Sequence, residues 1–145
     1  MVIEDFSSKV IFLDTAPLIY FIEGHSKYQN ILSKIFELND KGSFSFLTTS
    51  ITLLEVLVKP FRDAEHLLAE QYKDILTKAP GIEICDVTPE IAERAALLRA
   101  IHHLSTPDSI QLSAAIERQC QYFLTNDIKL SAVKEIKVVT LPEIE

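Results

Sequence analysis

Four acidic side chains stand where short sequence patterns favour a chemical role. Asp14 and Asp127 follow apolar runs that have the length of buried strands. Glu55 and Asp108 lie on helical segments that are otherwise mainly apolar. Two acids at strand exits and two on otherwise apolar faces together suggest one shared site.

A group of carboxylates carries an electrostatic cost that restricts its chemistry. Two carboxylates about 5 Å apart repel by roughly 3 kcal/mol at an effective dielectric constant near 20, so four require protons or a cation. A ligand set of oxygen atoms, without sulfur or imidazole, favours Mg²⁺ or Mn²⁺ over zinc. Such an ion stabilises charge on phosphoryl oxygens and activates water, which suits phosphodiester hydrolysis.

Each acid also has a structural alternative. Asp14 could cap the helix that follows it, and Asp127 could build a turn. Glu55 could pair with Lys59 one helical turn later, and Asp108 could interact favourably with a helix dipole. Taken together, the four positions favour a common acidic site over four separate roles.

Strand and helix patterns alternate along the chain. Strands are predicted at Val10–Leu13, Ser43–Thr49, Ile82–Val87, Tyr122–Thr125 and Lys137–Thr140. Helices are predicted at Pro17–Glu23, Gln29–Asn39, Ile51–Val58, Arg62–Lys78, Pro89–His103 and Thr106–Gln119. Ser50 is expected to cap the third of these helices, Pro60 to close it, and Thr106 to cap the last. This alternation predicts an α/β fold with a parallel sheet and helices on both faces. Ligands of such folds bind beyond the carboxyl ends of the strands, where Asp14 and Asp127 are expected.

Composition restricts the function classes. The 145 residues predict a single domain, 1–145, and the 48% hydrophobic and 24% charged residues are typical of globular proteins. The net charge of −7 excludes a simple electrostatic sleeve for nucleic acid, but not a metal-dependent enzyme acting on it. With only three glycines, neither a dinucleotide-binding nor a P-loop phosphate motif can be written.

The sequence predicts a cytoplasmic protein. No apolar stretch approaches the roughly 18 residues of a membrane span. The first five residues include the acids Glu4 and Asp5, where a signal peptide would carry bases. Cys85 and Cys120 lack the spacing of a metal motif and are predicted to be reduced, buried thiols. The four histidines also lack the spacing of a ligand set.

Four segments resemble the acidic motifs of PIN domains, and their order and spacing match across nearly the whole chain. The segments are Val10–Thr15, Thr49–Glu55, Thr106–Ala115 and Phe123–Asp127. A PIN domain of this length resembles the VapC-type toxins of prokaryotic toxin–antitoxin pairs. The resemblance implies a three-layer, doubly wound five-stranded parallel sheet of order 3-2-1-4-5, Mg²⁺- or Mn²⁺-dependent ribonuclease activity and homodimerisation. It also implies a cognate antitoxin that inserts a peptide near the site.

The resemblance assigns roles residue by residue. Asp14 and Asp108 would be the principal metal ligands, and Glu55 and Asp127 would complete the pocket directly or through water. Thr125 matches a hydroxyl residue that can hold a carboxylate or a water. One departure is a serine in place of the alanine that commonly follows the third acid, and its small size predicts tolerance. Five side chains could form a basic rim for RNA or be ordinary solvated surface: Lys59, Arg99, His102, His103 and Lys129.

Other function classes fit the sequence less well than a ribonuclease does. A phosphatase of the haloacid-dehalogenase type needs a second acid where this chain has Ala16, and a receiver-type module needs an adjacent acidic pair before Asp14. A PIN-like module that has lost activity and only binds partners is a closer alternative. Four retained, mutually repelling acids favour the enzyme.

Overall fold

Five short strands form one parallel sheet in the computed structural model, which describes residues 1–145. The strands are β1 (Val10–Leu13), β2 (Ser45–Thr49), β3 (Ile82–Cys85), β4 (Tyr122–Thr125) and β5 (Lys137–Thr140). Their order is β3-β2-β1-β4-β5, and every neighbouring pair is parallel. The predicted fold class and strand order are confirmed. The order places β1 at the centre of the sheet, between β2 and β4.

Six helices cover the two faces of the sheet. They are α1 (Thr15–Glu23), α2 (Gln29–Asp40), α3 (Ser50–Arg62), α4 (His66–Lys78), α5 (Pro89–His102) and α6 (Thr106–Glu117). Short 3₁₀ turns lie at Ile3–Phe6, Ile128–Ala132 and Leu141–Glu143. None of the helices combines the length and the apolar composition that a membrane span requires.

The apolar run of β1 is buried because both faces of the sheet are covered. Ile11 and Leu13 belong to a core cluster that includes residues of α1 to α4. Phe12, which points to the opposite face, belongs to a second cluster with residues of α5 and α6 and stacks on Phe123 with ring centroids 5.0 Å apart. A continuous apolar strand is what such a three-layer arrangement requires.

The predicted end of α3 was wrong. Pro60 was expected to close a helix that ends at Val58, but α3 continues to Arg62 with Pro60 inside it. Pro60 lies in the last turn and is buried, so its packing offsets the lost backbone hydrogen bond. The chain breaks instead at Ala64, whose φ of 54° is left-handed, and α4 therefore begins at His66 rather than at Arg62.

The caps of two helices also lie one residue earlier than predicted. Thr49, not Ser50, caps α3, since its hydroxyl accepts a hydrogen bond from the N–H of Ile51. Ser105 caps α6 and accepts a hydrogen bond of 3.2 Å from the N–H of Asp108. These caps fix the N-termini of two helices at the carboxyl edge of the sheet.

Candidate active site

Asp14 lies at the carboxyl end of the central strand. Its backbone N–H donates to the carbonyl of Leu124 (3.0 Å), which extends the pairing of β1 with β4 as far as the acid. Asp14 is also the N-cap of α1, and its Oδ1 accepts a hydrogen bond of 2.9 Å from the N–H of Thr15. The capping role and a place at the strand exit therefore coexist in one residue.

Thr125 holds the other oxygen of Asp14. Its hydroxyl donates to Asp14 Oδ2 over 2.7 Å and accepts a hydrogen bond of 3.2 Å from the N–H of Asp127. The side chain is 1% exposed at the end of β4. Both oxygens of Asp14 are thus held by neighbouring elements, which fixes the orientation of the carboxylate.

Glu55 reaches the same edge of the sheet from the second turn of α3. Its Oε1 accepts a hydrogen bond of 2.7 Å from the hydroxyl of Thr15, the first residue of α1. No ion pair joins Glu55 to Lys59. The apolar face that carries Glu55 is open rather than buried, because Leu54 is 60% exposed and Val58 is 53% exposed.

Asp108 completes a group of three neighbouring acids. It lies in the first turn of α6, and its charge and that of Glu55 both act on Asp14. The pKa of Asp14 is raised from 3.8 to about 6, chiefly by burial and to a smaller extent by repulsion from Asp108 and Glu55. The hydrogen bonds from Thr125 and from the backbone of Thr15 oppose this increase. Such an acid is stabilised in its ionised form by a nearby cation.

Asp127 is placed differently from the other three acids. Its Oδ1 accepts a hydrogen bond of 3.0 Å from the N–H of Lys129, so it caps the 3₁₀ turn after β4. The charges that raise the pKa of Asp14 come from Asp108 and Glu55. Asp127 is connected to Asp14 through Thr125, whose hydroxyl contacts both residues.

A buried chain of polar side chains lies beneath the acids, and sequence reasoning missed it. Thr48 donates to the carbonyl of Leu13 (2.9 Å), and its hydroxyl lies 2.8 Å from that of Thr52. Gln111 donates to Thr52 over 2.6 Å and accepts a hydrogen bond from Thr49. We call these four side chains the threonine–glutamine chain; none is more than 1% exposed. It joins β1, α3 and α6, the elements that carry or precede the three neighbouring acids.

One feature of the sequence could have indicated the threonine–glutamine chain, namely a glutamine on an apolar helix. Gln111 lies one turn after Asp108, between Ile110 and Leu112, and a glutamine on a core face needs polar partners. Its partners are 59 and 62 residues away in sequence, so the spacing alone did not indicate them.

No three His, Cys, Asp or Glu side chains form a group that is ready to hold a metal ion. The acids at this edge of the sheet offer only oxygen atoms, and the buried carboxyl of Asp14 lies beside two further negative charges. Mg²⁺ takes one or two protein carboxylates and keeps several waters, so this donor chemistry fits a hard divalent cation.

Comparison with known proteins identifies related folds. The family model described as PIN domain matches residues 11–136. The VapBC2 complex of Rickettsia felis, bound to a DNA fragment from its promoter, is 20% identical with a TM-score of 0.73, covering 90% of this chain and 98% of that chain.

Two further solved structures are similar to this chain. A toxin–antitoxin complex from Klebsiella pneumoniae is 22% identical with a TM-score of 0.70, covering 90% of this chain and 97% of that one. Mycobacterium tuberculosis VapC20, described as a toxin that cleaves the sarcin–ricin loop, is 18% identical with a TM-score of 0.70, covering 88% and 98%. No curated protein matches the sequence. At these identities the structural likeness shows a shared fold.

Proposed function

Because the chain belongs to the PIN-domain family, we propose that it is a divalent-metal-dependent endoribonuclease and the toxin of a toxin–antitoxin pair. The observation that carries the proposal is the buried carboxyl of Asp14 at the carboxyl end of β1, on which the charges of Glu55 and Asp108 act and to which Thr125 donates a hydrogen bond. Resemblance to VapC-type toxins supports RNA as the substrate, and one structural neighbour is described as cleaving the sarcin–ricin loop.

The proposed ligands of the cation are acidic side chains. Asp14 and Asp108 would hold Mg²⁺ or Mn²⁺, and Glu55 and Asp127 would complete the pocket directly or through water. A bound cation would stabilise negative charge on the phosphoryl oxygens and lower the pKa of water.

The protein's own groups orient and charge the site. Thr125 fixes the carboxylate of Asp14 and favours its ionised form, because its hydroxyl donates to that carboxylate. The N-terminus of α6 places Asp108 where the helix dipole favours negative charge. Glu55, exposed and held by Thr15, is the proposed acceptor of a proton from the attacking water.

The proposed reaction is in-line attack of water on an RNA phosphodiester without a covalent enzyme intermediate. The oxygen of the attacking water forms the new bond to phosphorus while one of its protons passes to Glu55. The bond from phosphorus to one ribose oxygen breaks, and that oxygen takes up a proton from solvent. We propose that the protein acts in the cytoplasm. We also propose that residues 1–145 form a single domain. The buried, free thiols of Cys85 and Cys120 are in keeping with a reducing compartment.

A cleavage assay tests the proposal. Single-stranded RNA is incubated with the protein and Mg²⁺, Mn²⁺ or a chelator, and Asp14→Asn and Asp108→Asn are compared with Asp74→Asn. Asp74 is the matched control, since it is an exposed acid that pairs with Lys78 on α4. We expect cleavage only with a divalent cation, retained in the control and lost in the two site variants. Full cleavage by either site variant, or by the chelated protein, would contradict the mechanism.

An antitoxin is the proposed protein partner. Three structural neighbours are toxin–antitoxin complexes. Co-expression with the product of a neighbouring small reading frame tests this partner, and we expect a stable complex in which RNA cleavage is inhibited.

A homodimer is proposed as the assembly. The outer side of α3 exposes Leu54, Val58 and Phe61, each more than 50% accessible and spaced to share one side of the helix. Exposed apolar stripes of this kind favour protein contacts. Light scattering should show a dimer that Phe61→Asp dissociates; a monomeric wild-type protein would contradict the dimer.

A further inference from the structure

A protein with a net negative charge needs a local positive charge to bind the RNA backbone, and Arg99 is placed for this role. Three of the four arginines are paired with a carboxylate. The pairs are Arg62–Asp63, Arg94–Glu117 and Arg118–Glu83. Arg99 has no carboxylate partner. Its charge is therefore free to meet an anion from outside the chain.

The guanidinium of Arg99 is held in place by the backbone. Its Nε donates to the carbonyl of Leu104 over 2.9 Å, across the turn that joins α5 to α6. The two terminal amino groups form no hydrogen bond within the protein. A guanidinium fixed in this way loses less conformational entropy when it binds a phosphate through its remaining donors.

Arg99 lines a cavity whose lining residues include no acid. The cavity has a volume of about 510 Å³ and is also lined by His103, Leu104 and two alanines. No Asp or Glu occurs from Arg94 to Pro107, and histidines occupy the next helical turn after Arg99. Arg99 is thus the one fixed positive charge in the lining of this cavity, in a chain whose net charge is −7. His102, which is not part of the lining, lies 3.4 Å from Glu135.

The cavity adjoins the proposed active site along the chain. Leu104 is followed by Ser105, which caps α6 and bonds the backbone of Asp108. Three residues lie between Leu104 and Asp108, so their Cα atoms are at most about 14 Å apart. An RNA strand at Asp108 can therefore bring a neighbouring phosphate to Arg99.

We propose that Arg99, together with His103, binds a backbone phosphate of the RNA beside the phosphodiester that is cleaved. This subsite rests on the proposed ribonuclease function. It supplies binding energy away from the reacting phosphorus, so it acts on substrate affinity rather than on the chemical step. It reads no base, since phosphate contacts position a strand without sensing its sequence.

Steady-state cleavage kinetics at several salt concentrations test the subsite. The variants are Arg99→Gln and Arg99→Lys. Arg99→Gln removes the positive charge, whereas Arg99→Lys keeps it but loses the forked guanidinium and its hydrogen bond to the carbonyl of Leu104. Arg62→Gln is the matched control. Arg62 is an exposed arginine at the C-terminal end of α3, about 18 Å along the helix from Ser50, which lies at the end near the site. Thermal unfolding of each variant shows whether loss of the Leu104 bond alters the fold.

We expect Arg99→Gln to raise KM about tenfold with kcat nearly unchanged, as for the loss of one charge-assisted hydrogen bond. The slope of log KM against log salt should fall by about 0.7, the value for one phosphate contact in a single strand. Arg99→Lys should keep most of that slope, and Arg62→Gln should behave as wild type.

Two results would overturn the subsite while leaving the ribonuclease intact. One is an Arg99→Gln variant whose KM and salt slope equal those of Arg62→Gln. The other is a loss of kcat with unchanged KM, which would make Arg99 a support for the turn before Asp108. Failure of the wild-type protein to cleave RNA with Mg²⁺ or Mn²⁺ would instead refute the proposed function, and the subsite with it.

Discussion

Replacing Asp14 with asparagine should stabilise the metal-free protein at neutral pH. The folded protein holds the pKa of Asp14 at about 6, compared with 3.8 for the ordinary group. The pKa is raised on folding, so its contribution to stability is fully present below about pH 3.8 and is lost as pH rises through about 6. The full loss amounts to about 3 kcal/mol, since each pKa unit corresponds to about 1.4 kcal/mol. The asparagine side chain of Asp14→Asn cannot ionise, so this variant does not lose stability between these pH values for this reason.

Comparing two pH values separates the charge from other effects of the substitution. In wild type, about 1 kcal/mol of the stability contributed by Asp14 is already lost at about pH 4.5. The remaining loss of about 2 kcal/mol is complete by about pH 7.5. Asparagine also changes the hydrogen bonds to Thr15 and Thr125, but this contribution is similar at both pH values and cancels in the difference. We therefore expect the stability of Asp14→Asn relative to wild type to rise by about 2 kcal/mol over this interval.

Urea unfolding in the presence of a chelator measures this difference. Wild type, Asp14→Asn and the control Asp74→Asn are unfolded at each pH, and the free energy of unfolding is extrapolated to water. The account requires a pH-dependent gain in Asp14→Asn that is absent from the control. Parallel pH dependences of wild type and Asp14→Asn would show that Asp14 is not a destabilised acid in the folded protein.

Three further substitutions test individual contacts. Thr125→Val removes a bond that lowers the pKa of Asp14, so the acidic limb of the pH profile for RNA cleavage should move to higher pH; an unchanged profile would contradict the role of this hydroxyl. Gln111→Leu leaves buried hydroxyls without their partner and should lower the free energy of unfolding by about 1–3 kcal/mol, with slower cleavage. Unchanged urea unfolding would refute that reasoning. Asp127→Asn should slow cleavage less than Asp108→Asn, and the opposite order in rate assays would reverse the assignment.

The sequence predicted the sheet well because burial on both faces leaves a clear pattern. Val10–Leu13 is apolar at every position, and this is the strand that lies at the centre of the sheet. Asp14 and Asp127 were expected at the carboxyl edge from the rule that parallel strands end together there, whereas Asp108 was selected because it lies on a mainly apolar helix face. These acids could therefore be proposed as a site from the sequence alone.

Features that depend on tertiary contacts were not predictable in this way. Pro60 was read as a helix stop because local chemistry disfavours it, whereas packing keeps it inside α3. The face of α3 that carries Glu55 was expected to be apolar, and only the structure shows that it is open. The threonine–glutamine chain joins residues that are distant in sequence, so no local spacing indicates it.

Binding of Mn²⁺, followed by its electron paramagnetic resonance signal, tests most directly whether the acids share a divalent cation. Wild type should bind Mn²⁺, with affinity reduced about 10- to 100-fold or more in Asp14→Asn and in Asp108→Asn. Asp74→Asn should bind as wild type does. Equal Mn²⁺ affinity in all four proteins, or no binding by wild type, would contradict a metal site built on these acids.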